Sequence, residues 1–144
     1  MEKWFVNLDT IDITITHPDI RIIFNPNYAD LRREIMEFNH EIKWDDMWTF
    51  YDAQKRLSER WLFVGFFVDH QIKGWVWFNP KDNFLYNLYI NKKYRNFYNA
   101  KNLVLYLMMK CKEMGVKTMY TKSDSWNKNS RLIALKTGWN LINE

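Results

Sequence analysis

The sequence is poor in residues that break or cross-link a chain. Its 144 residues include four glycines, three prolines and one cysteine, Cys111. So little glycine and proline excludes a flexible or low-complexity chain. A lone cysteine excludes an internal disulfide and favours a reducing compartment, so we expect a cytoplasmic protein. No signal-peptide pattern precedes Trp4, and no apolar run approaches the ~20 residues that a bilayer-spanning helix needs, so no membrane partner is expected.

Aromatic side chains and a mild positive charge are what the sequence does contain. Hydrophobic residues make up 47% of the chain and aromatic residues 18%, which is enough for a sizeable core. The length fits a single domain, residues 1–144. A net charge of +4 suits an anionic small ligand but falls short of a nucleic-acid-binding surface. The three histidines lack the spacing of metal ligands, so we expect no metal site.

Hydrophobic periodicity predicts a mixed α/β domain. Strand patterns occur at 11–16, 19–24, 61–68, 72–78, 84–90, 116–121 and 139–143. Helical patterns occur at 28–42, 45–57, 98–114 and 128–137, with Gly115 and Gly138 as the predicted ends of the last two. The order predicts a mostly antiparallel central sheet with one βαβ crossover in its second half and flanking helices.

One stretch joins a strand, a basic turn and a long helix without a glycine. The strand ends in "LYI", the turn contains Lys92 and Lys93, and "RNFYNA" runs from Arg95 to Ala100 into the helix. The first amides of a helix can bind phosphate groups, and glycines normally let the backbone approach them. Further on, "NKNSRLIALKTGW" places an asparagine before a helix that ends in glycine and an aromatic residue.

These two stretches and the element order resemble the GCN5-related N-acetyltransferases, the GNAT superfamily. The family's loop motif is Q/R-x-x-G-x-G/A after a strand that ends in apolar-x-apolar. Arg95 and Ala100 match its first and last positions, and Tyr98 replaces its middle glycine. Asn127 and the pair Gly138-Trp139 match the second signature. The resemblance covers about residue 25 to the end and implies a GNAT-like acyl-CoA N-acyltransferase fold.

The resemblance also implies a function. It predicts direct transfer of acetyl from acetyl-CoA, or of another acyl group from its acyl-CoA, to a primary amine of a small molecule or peptide. No metal or membrane partner is expected, nucleic acid is disfavoured by the mild net charge, and a homodimer stays open. The cofactor-binding residues that it implies are the strand end Leu88, Tyr89 and Ile90, the loop residues Arg95, Asn96, Phe97, Tyr98, Asn99, Ala100 and Lys101, and Asn127.

The acid and base residues common in this family are absent. Their three usual positions hold Ala134, Lys122 and Phe84. As substitutes the sequence offers Tyr86, Tyr120 and Asp124, each of which also has a plain structural interpretation as a core aromatic or a turn residue. The departures support an alternative, a catalytically idle GNAT-fold domain that binds a ligand or a protein partner. A third interpretation, a nucleic-acid binder, rests only on "KKYRNFY" at 92–98.

Overall fold

The computed structural model describes residues 1–15, 21–24, 27, 29, 31, 33, 50–69 and 71–142. The helix predicted at 28–42 lies mostly outside these residues. Its described members Ala29, Leu31 and Arg33 are helical, and the Leu31 amide donates to the Asn27 carbonyl over 3.1 Å. The first part of the helix predicted at 45–57 and all three histidines also lie outside.

The described part of the chain alternates strands and helices much as the sequence predicts. Its elements are β1 (Glu2–Asn7), a 3-10 turn (Leu8–Thr10), β2 (Arg21–Phe24), α1 (Phe50–Ser58), β3 (Leu62–Val68), β4 (Gln71–Asn79), β5 (Phe84–Ile90), a 3-10 turn (Lys92–Tyr94), α2 (Phe97–Glu113), β6 (Thr118–Ser123), α3 (Lys128–Lys136) and β7 (Asn140–Leu141).

The strands form one sheet in the order β2-β3-β4-β5-β6-β1-β7. β5 and β6 are parallel, and helix α2 connects them. Every other neighbouring pair is antiparallel. The predicted fold class, a mixed and mostly antiparallel sheet with one βαβ crossover and flanking helices, is therefore confirmed.

The prediction was wrong at the N-terminal end. Residues 11–15, which alternate like a strand, have no regular structure. Ile11, Ile13 and Ile15 are instead partly buried against the core as an irregular segment. The strand that the periodicity did not reveal is β1, which lies between β6 and β7 and is antiparallel to both.

Two layers of apolar side chains cover the sheet. On one face, α2 buries Leu103, Leu107 and Cys111 among strand residues such as Val64 and Val76. The other face carries an aromatic cluster around Phe63, Trp75 and Trp77, together with Leu31. These two sets alternate along β3 and β4, as expected for strands that are covered on both sides.

The helix ends follow the sequence signals. Gly115 follows α2 with φ +87° and Gly138 follows α3 with φ +90°, a backbone conformation that favours glycine. No helix in the described residues is both long and apolar enough to cross a membrane.

Candidate active site

Strand β5 carries a bulge at its centre. Tyr86 lies opposite Trp77 and Tyr89 opposite Trp75, so two residues of β5, Asn87 and Leu88, face a single residue of β4. Asn87 has φ +55°, which asparagine adopts more readily than most residues. A bulge bends its strand and strengthens its twist. The end of β5 therefore leaves the direction of its first half.

Strands β5 and β6 separate toward their C-terminal ends. They share one register pair, Phe84 opposite Tyr120. The Tyr120 amide donates to the Asn83 carbonyl over 2.8 Å, and Thr121 Oγ1 donates to the Leu85 carbonyl over 3.2 Å. Both strands are fully described, and no ladder pair follows these contacts. A gap therefore opens in the sheet beyond this point.

A cavity of about 510 Å³ lies at this gap, on the side of the sheet covered by α2 and α3. Its walls are β5 from Phe84 to Leu88, the end of β6, residues of both helices, and the side chains of Trp4 and Trp139. Four predicted site residues line it, namely Tyr86, Leu88, Asp124 and Asn127. Ala134, which occupies the position of the family's usual acid, lines it as well.

A second cavity of about 350 Å³ lies on the opposite side of the sheet. Its lining residues are Lys3, Asp82, Phe84, Tyr86, Tyr120 and Lys122. Along β6, Tyr120 and Lys122 alternate with Met119, which is buried in the α2 layer. The side chains of Tyr120 and Lys122 therefore face away from that layer. Phe84, Tyr86 and Lys122 line both cavities. The two cavities therefore meet at the gap between β5 and β6.

Tyr86 is held at this meeting point by packing and one hydrogen bond. Its ring lies 5.2 Å from that of Trp61 and 4.9 Å from that of Phe84. Its hydroxyl donates to Asp82 Oδ2 over 2.8 Å. Burial raises the pKa of Tyr86, and the hydrogen bond to Asp82 and the negative charge of Asp82 raise it further. The phenol is therefore protonated at neutral pH.

The loop after β5 is ordered by side-chain caps instead of glycines. Asn91 Oδ1 accepts from the Lys93 amide over 2.8 Å, and Asn96 Oδ1 accepts from the Asn99 amide over 2.8 Å as the N-cap of α2. Tyr98 lies within the first turn of α2, its φ is not positive, and 45% of its surface is exposed. The helix thus begins without the left-handed residue that a glycine would supply.

Arg95 fastens this loop to the end of β5. Its Nε donates to the Ile90 carbonyl over 3.0 Å, and its guanidinium lies 5.5 Å from the centre of the Tyr89 ring. None of the predicted loop residues at 95–101 lines the larger cavity, and neither do Tyr89 and Ile90. The structure therefore brings the predicted residues into two groups, one in the cavities and one at the N-terminus of α2.

Asn127 has a clear structural role. It is the N-cap of α3, and its Oδ1 accepts from the Ser130 amide over 3.1 Å. Asn127 also lines the larger cavity. A role in holding a ligand stays a prediction.

Two charged residues of the smaller cavity were missed by the sequence interpretation. Lys3 lies on β1, the strand that the periodicity did not reveal, and Asp82 lies in the turn before β5. No local motif marks either residue. Only the sheet order, which places β1 beside β6, brings Lys3 to the site.

Residues 25–139 match the family model described as "Acetyltransferase (GNAT) family". The chain belongs to this family. Its members use acetyl-CoA or another acyl-CoA as cosubstrate. No curated protein matches the chain.

Solved structures of GNAT proteins share the fold at low sequence identity. A GCN5-related N-acetyltransferase from Sphaerobacter thermophilus aligns with 98% of this chain at TM-score 0.73 and 16% identity, and this chain spans only 48% of its length. A GNAT-family acetyltransferase from Staphylococcus aureus Mu50 aligns at TM-score 0.64 and 23% identity over 87% of each chain. An aminoglycoside acetyltransferase from an uncultured soil metagenomic sample, solved in complex with sisomicin, aligns at TM-score 0.64 and 16% identity, over 83% of this chain and 87% of its own.

Proposed function

We propose that this protein is an acyl-CoA-dependent N-acyltransferase, which moves acetyl from acetyl-CoA, or another acyl group from its acyl-CoA, to a primary amine. The observation that carries the proposal is the gap between β5 and β6, where cavities on the two faces of the sheet share Phe84, Tyr86 and Lys122. A thioester that enters from the α2 and α3 side can meet an amine that enters from the other side. Family membership supports the same assignment.

The residues around the gap suit coenzyme A. Beyond its single pair with β6, the edge of β5 has no ladder partner on that side, so its backbone groups can pair with the amides of the pantetheine arm. Leu88, Tyr89 and Ile90 supply this edge. The N-terminus of α2, at 97–113, and the neighbouring loop residues Arg95 to Lys101 suit the pyrophosphate, since helix N-termini favour anions. Asn127 would complete the site from the start of α3.

The reaction needs one proton acceptor and one proton donor. The amine nitrogen forms a bond to the acyl carbon, the carbon–sulfur bond breaks, the nitrogen loses a proton and the thiolate gains one. Tyr86 is our candidate for the donor, because this residue lines both cavities and its phenol is protonated at neutral pH. Tyr120 in the smaller cavity and Asp124 in the larger one are the candidates for accepting the amine proton, directly or through water.

The test is release of free coenzyme A from acetyl-CoA in the presence of a panel of primary amines. We expect amine-dependent release, and we expect Tyr86→Phe to lower kcat by roughly 10²- to 10⁴-fold, the usual contribution of a positioned acid. Tyr106→Phe, a half-buried tyrosine on α2, is the matched control and should keep full activity. Full activity of Tyr86→Phe would remove Tyr86 from the chemistry. No release with any amine would contradict the enzyme assignment.

The catalytically idle GNAT-fold domain is the second candidate. It is favoured by the cavity itself, where Ala134, Lys122 and Phe84 occupy the positions at which the family commonly has its acid and bases. On this alternative, coenzyme A or a partner protein would bind without turnover. Binding of acetyl-CoA with no acyl transfer to any amine would favour this candidate over the enzyme.

A further inference from the structure

Two lysines face each other across neighbouring strands at the smaller cavity. In the antiparallel pair of β1 and β6, Lys3 lies directly opposite Lys122. Side chains in such positions point to the same face of the sheet, and like charges placed there repel each other. Lys3 Nζ lies 5.5 Å from the centre of the Tyr120 ring, and Lys122 Nζ lies 5.9 Å from that of Phe84. Neither ammonium forms an ion pair with a carboxylate of the described residues.

The neighbouring charged residue on β1, Glu2, does have an ion-pair partner. Glu2 precedes Lys3 and therefore points to the other face of the sheet, where its Oε1 lies 3.0 Å from Arg131 Nε on α3. The carboxylate that faces α3 is therefore paired with Arg131. Lys3 and Lys122, by contrast, leave two cations together at the cavity, an arrangement that an anion placed between them would stabilise.

The opposite wall of the same cavity is acidic. Asp82 accepts from the Tyr86 hydroxyl over 2.8 Å and, through Oδ1, from the Phe84 amide over 3.2 Å. At the Phe84–Tyr120 pair, β5 is separated from β1 by β6, which corresponds to two strand spacings or about 9–10 Å. The cavity therefore has a carboxylate on its β5 side and two ammonium groups on its β6 and β1 side, with aromatic rings between them.

We propose that the amine acceptor of this enzyme is a small zwitterion, an amine that also carries a carboxylate, as in a free amino acid. Its carboxylate binds between Lys3 and Lys122. Its amino group points toward Tyr86 and Asp82, beside the gap where the acyl group arrives. A polyamine, which has no anion for the lysines, is disfavoured by the same charges. The role as acceptor rests on the proposed acyltransferase function, whereas the binding of the zwitterion does not.

The test compares amines that differ only by the carboxylate: lysine with cadaverine, ornithine with putrescine, and phenylalanine with phenethylamine. With acetyl-CoA as donor, we expect kcat/KM to be at least tenfold higher for the amino acid of a pair. Lys3→Gln and Lys122→Gln should raise KM for the amino acid about tenfold and leave kcat within a few-fold. For the decarboxylated amine they should leave kcat/KM unchanged or raise it, because a repelling positive charge has been removed. Lys117→Gln, an exposed lysine just before β6, is the matched control and should have no effect.

A second measurement separates this inference from the proposed reaction. Without acetyl-CoA, the preferred amino acid should raise the Tm of the wild-type protein and of Lys117→Gln, but not that of Lys3→Gln. Equal or better transfer to the decarboxylated amines would overturn the inference and leave the acyltransferase in place. A Tm shift that the amino acid causes in the wild-type protein but not in Lys3→Gln, without any acyl transfer, would support the zwitterion site and contradict the acyltransferase function. Absence of both effects would contradict both.

Discussion

Replacement of Tyr98 tests whether the GNAT loop of this protein works without its middle glycine. Tyr98 lies in the first turn of α2, has no positive φ, and the cap from Asn96 to the Asn99 amide holds the helix start. If Tyr98 neither blocks coenzyme A nor strains the backbone, replacing it with glycine removes no obstacle to binding. We therefore expect Tyr98→Gly to bind coenzyme A within a few-fold of the wild-type protein.

The stability change can be estimated from helix propensity. Tyr98→Gly and Tyr98→Ala lose the same ring, so the difference between them reports the backbone alone. Glycine is less favourable than alanine in a helix by about 1 kcal/mol. With an unfolding entropy of roughly 2.1 cal/mol/K per residue, or about 0.3 kcal/mol/K for this chain, the glycine variant should melt about 3 °C below the alanine variant.

Calorimetric titration with coenzyme A and thermal melting of both variants check this prediction. A gain of tenfold or more in affinity, about 1.4 kcal/mol, would refute it. A gain in both variants would show that the ring blocks the phosphate site. A gain in the glycine variant alone would show that the loop needs glycine's backbone freedom. Either result would favour the idle-domain alternative.

Three further predictions concern residues near the core and the site. Asn127→Ala should lower stability by about 1 kcal/mol through loss of the α3 cap and weaken coenzyme A binding about fivefold; unchanged affinity would make it a cap alone. Burial raises the pKa of Cys111 from 9.0 to about 12. The free energy that burial of the neutral thiol contributes to folding is therefore complete below pH 9 and lost as pH rises toward 12, so the stability of Cys111→Ala in denaturant unfolding should fall less between pH 9 and 12 than that of the wild-type protein. Gly74→Ala would place its Cβ 2.7 Å from the Tyr89 carbonyl oxygen, and we expect a loss of about 1–3 kcal/mol in urea unfolding, with wild-type stability as the contrary result.

The fold was largely predictable because its signals are local. The buried run of β3, the apolar face of α2 and the glycines at 115 and 138 each depend on residues close in sequence. The exception, β1, shows the limit of such signals. Whether residues 2–7 or 11–15 join the sheet depends on which segment finds a partner on β6, more than 100 residues away in the chain.

The residues of the candidate site were only partly predictable from the sequence. Spacing identifies the family motifs at Arg95 to Ala100 and at Asn127, whose role in binding a ligand stays a prediction, and strand positions identify Tyr86 and Tyr120 as cavity residues. The smaller cavity could not, because Lys3, Asp82 and Lys122 meet only through the sheet order β5-β6-β1. Nor does the motif reveal that Arg95 donates to the Ile90 carbonyl, so its side chain has a structural task at the loop that the motif associates with phosphate.

Binding of acyl-CoA as a cosubstrate can be tested by a thermal-shift titration of this protein with acetyl-CoA, coenzyme A and ATP. A ligand that binds only the folded state stabilises it by about 2.7 kcal/mol at 100 times its Kd. For this chain that corresponds to a Tm increase of roughly 9 °C. We predict that Tm rises with the logarithm of the acetyl-CoA or coenzyme A concentration and reaches this increase at about 100 times Kd, with a much smaller increase for ATP. No Tm shift at millimolar acetyl-CoA would contradict the binding of acyl-CoA by this protein.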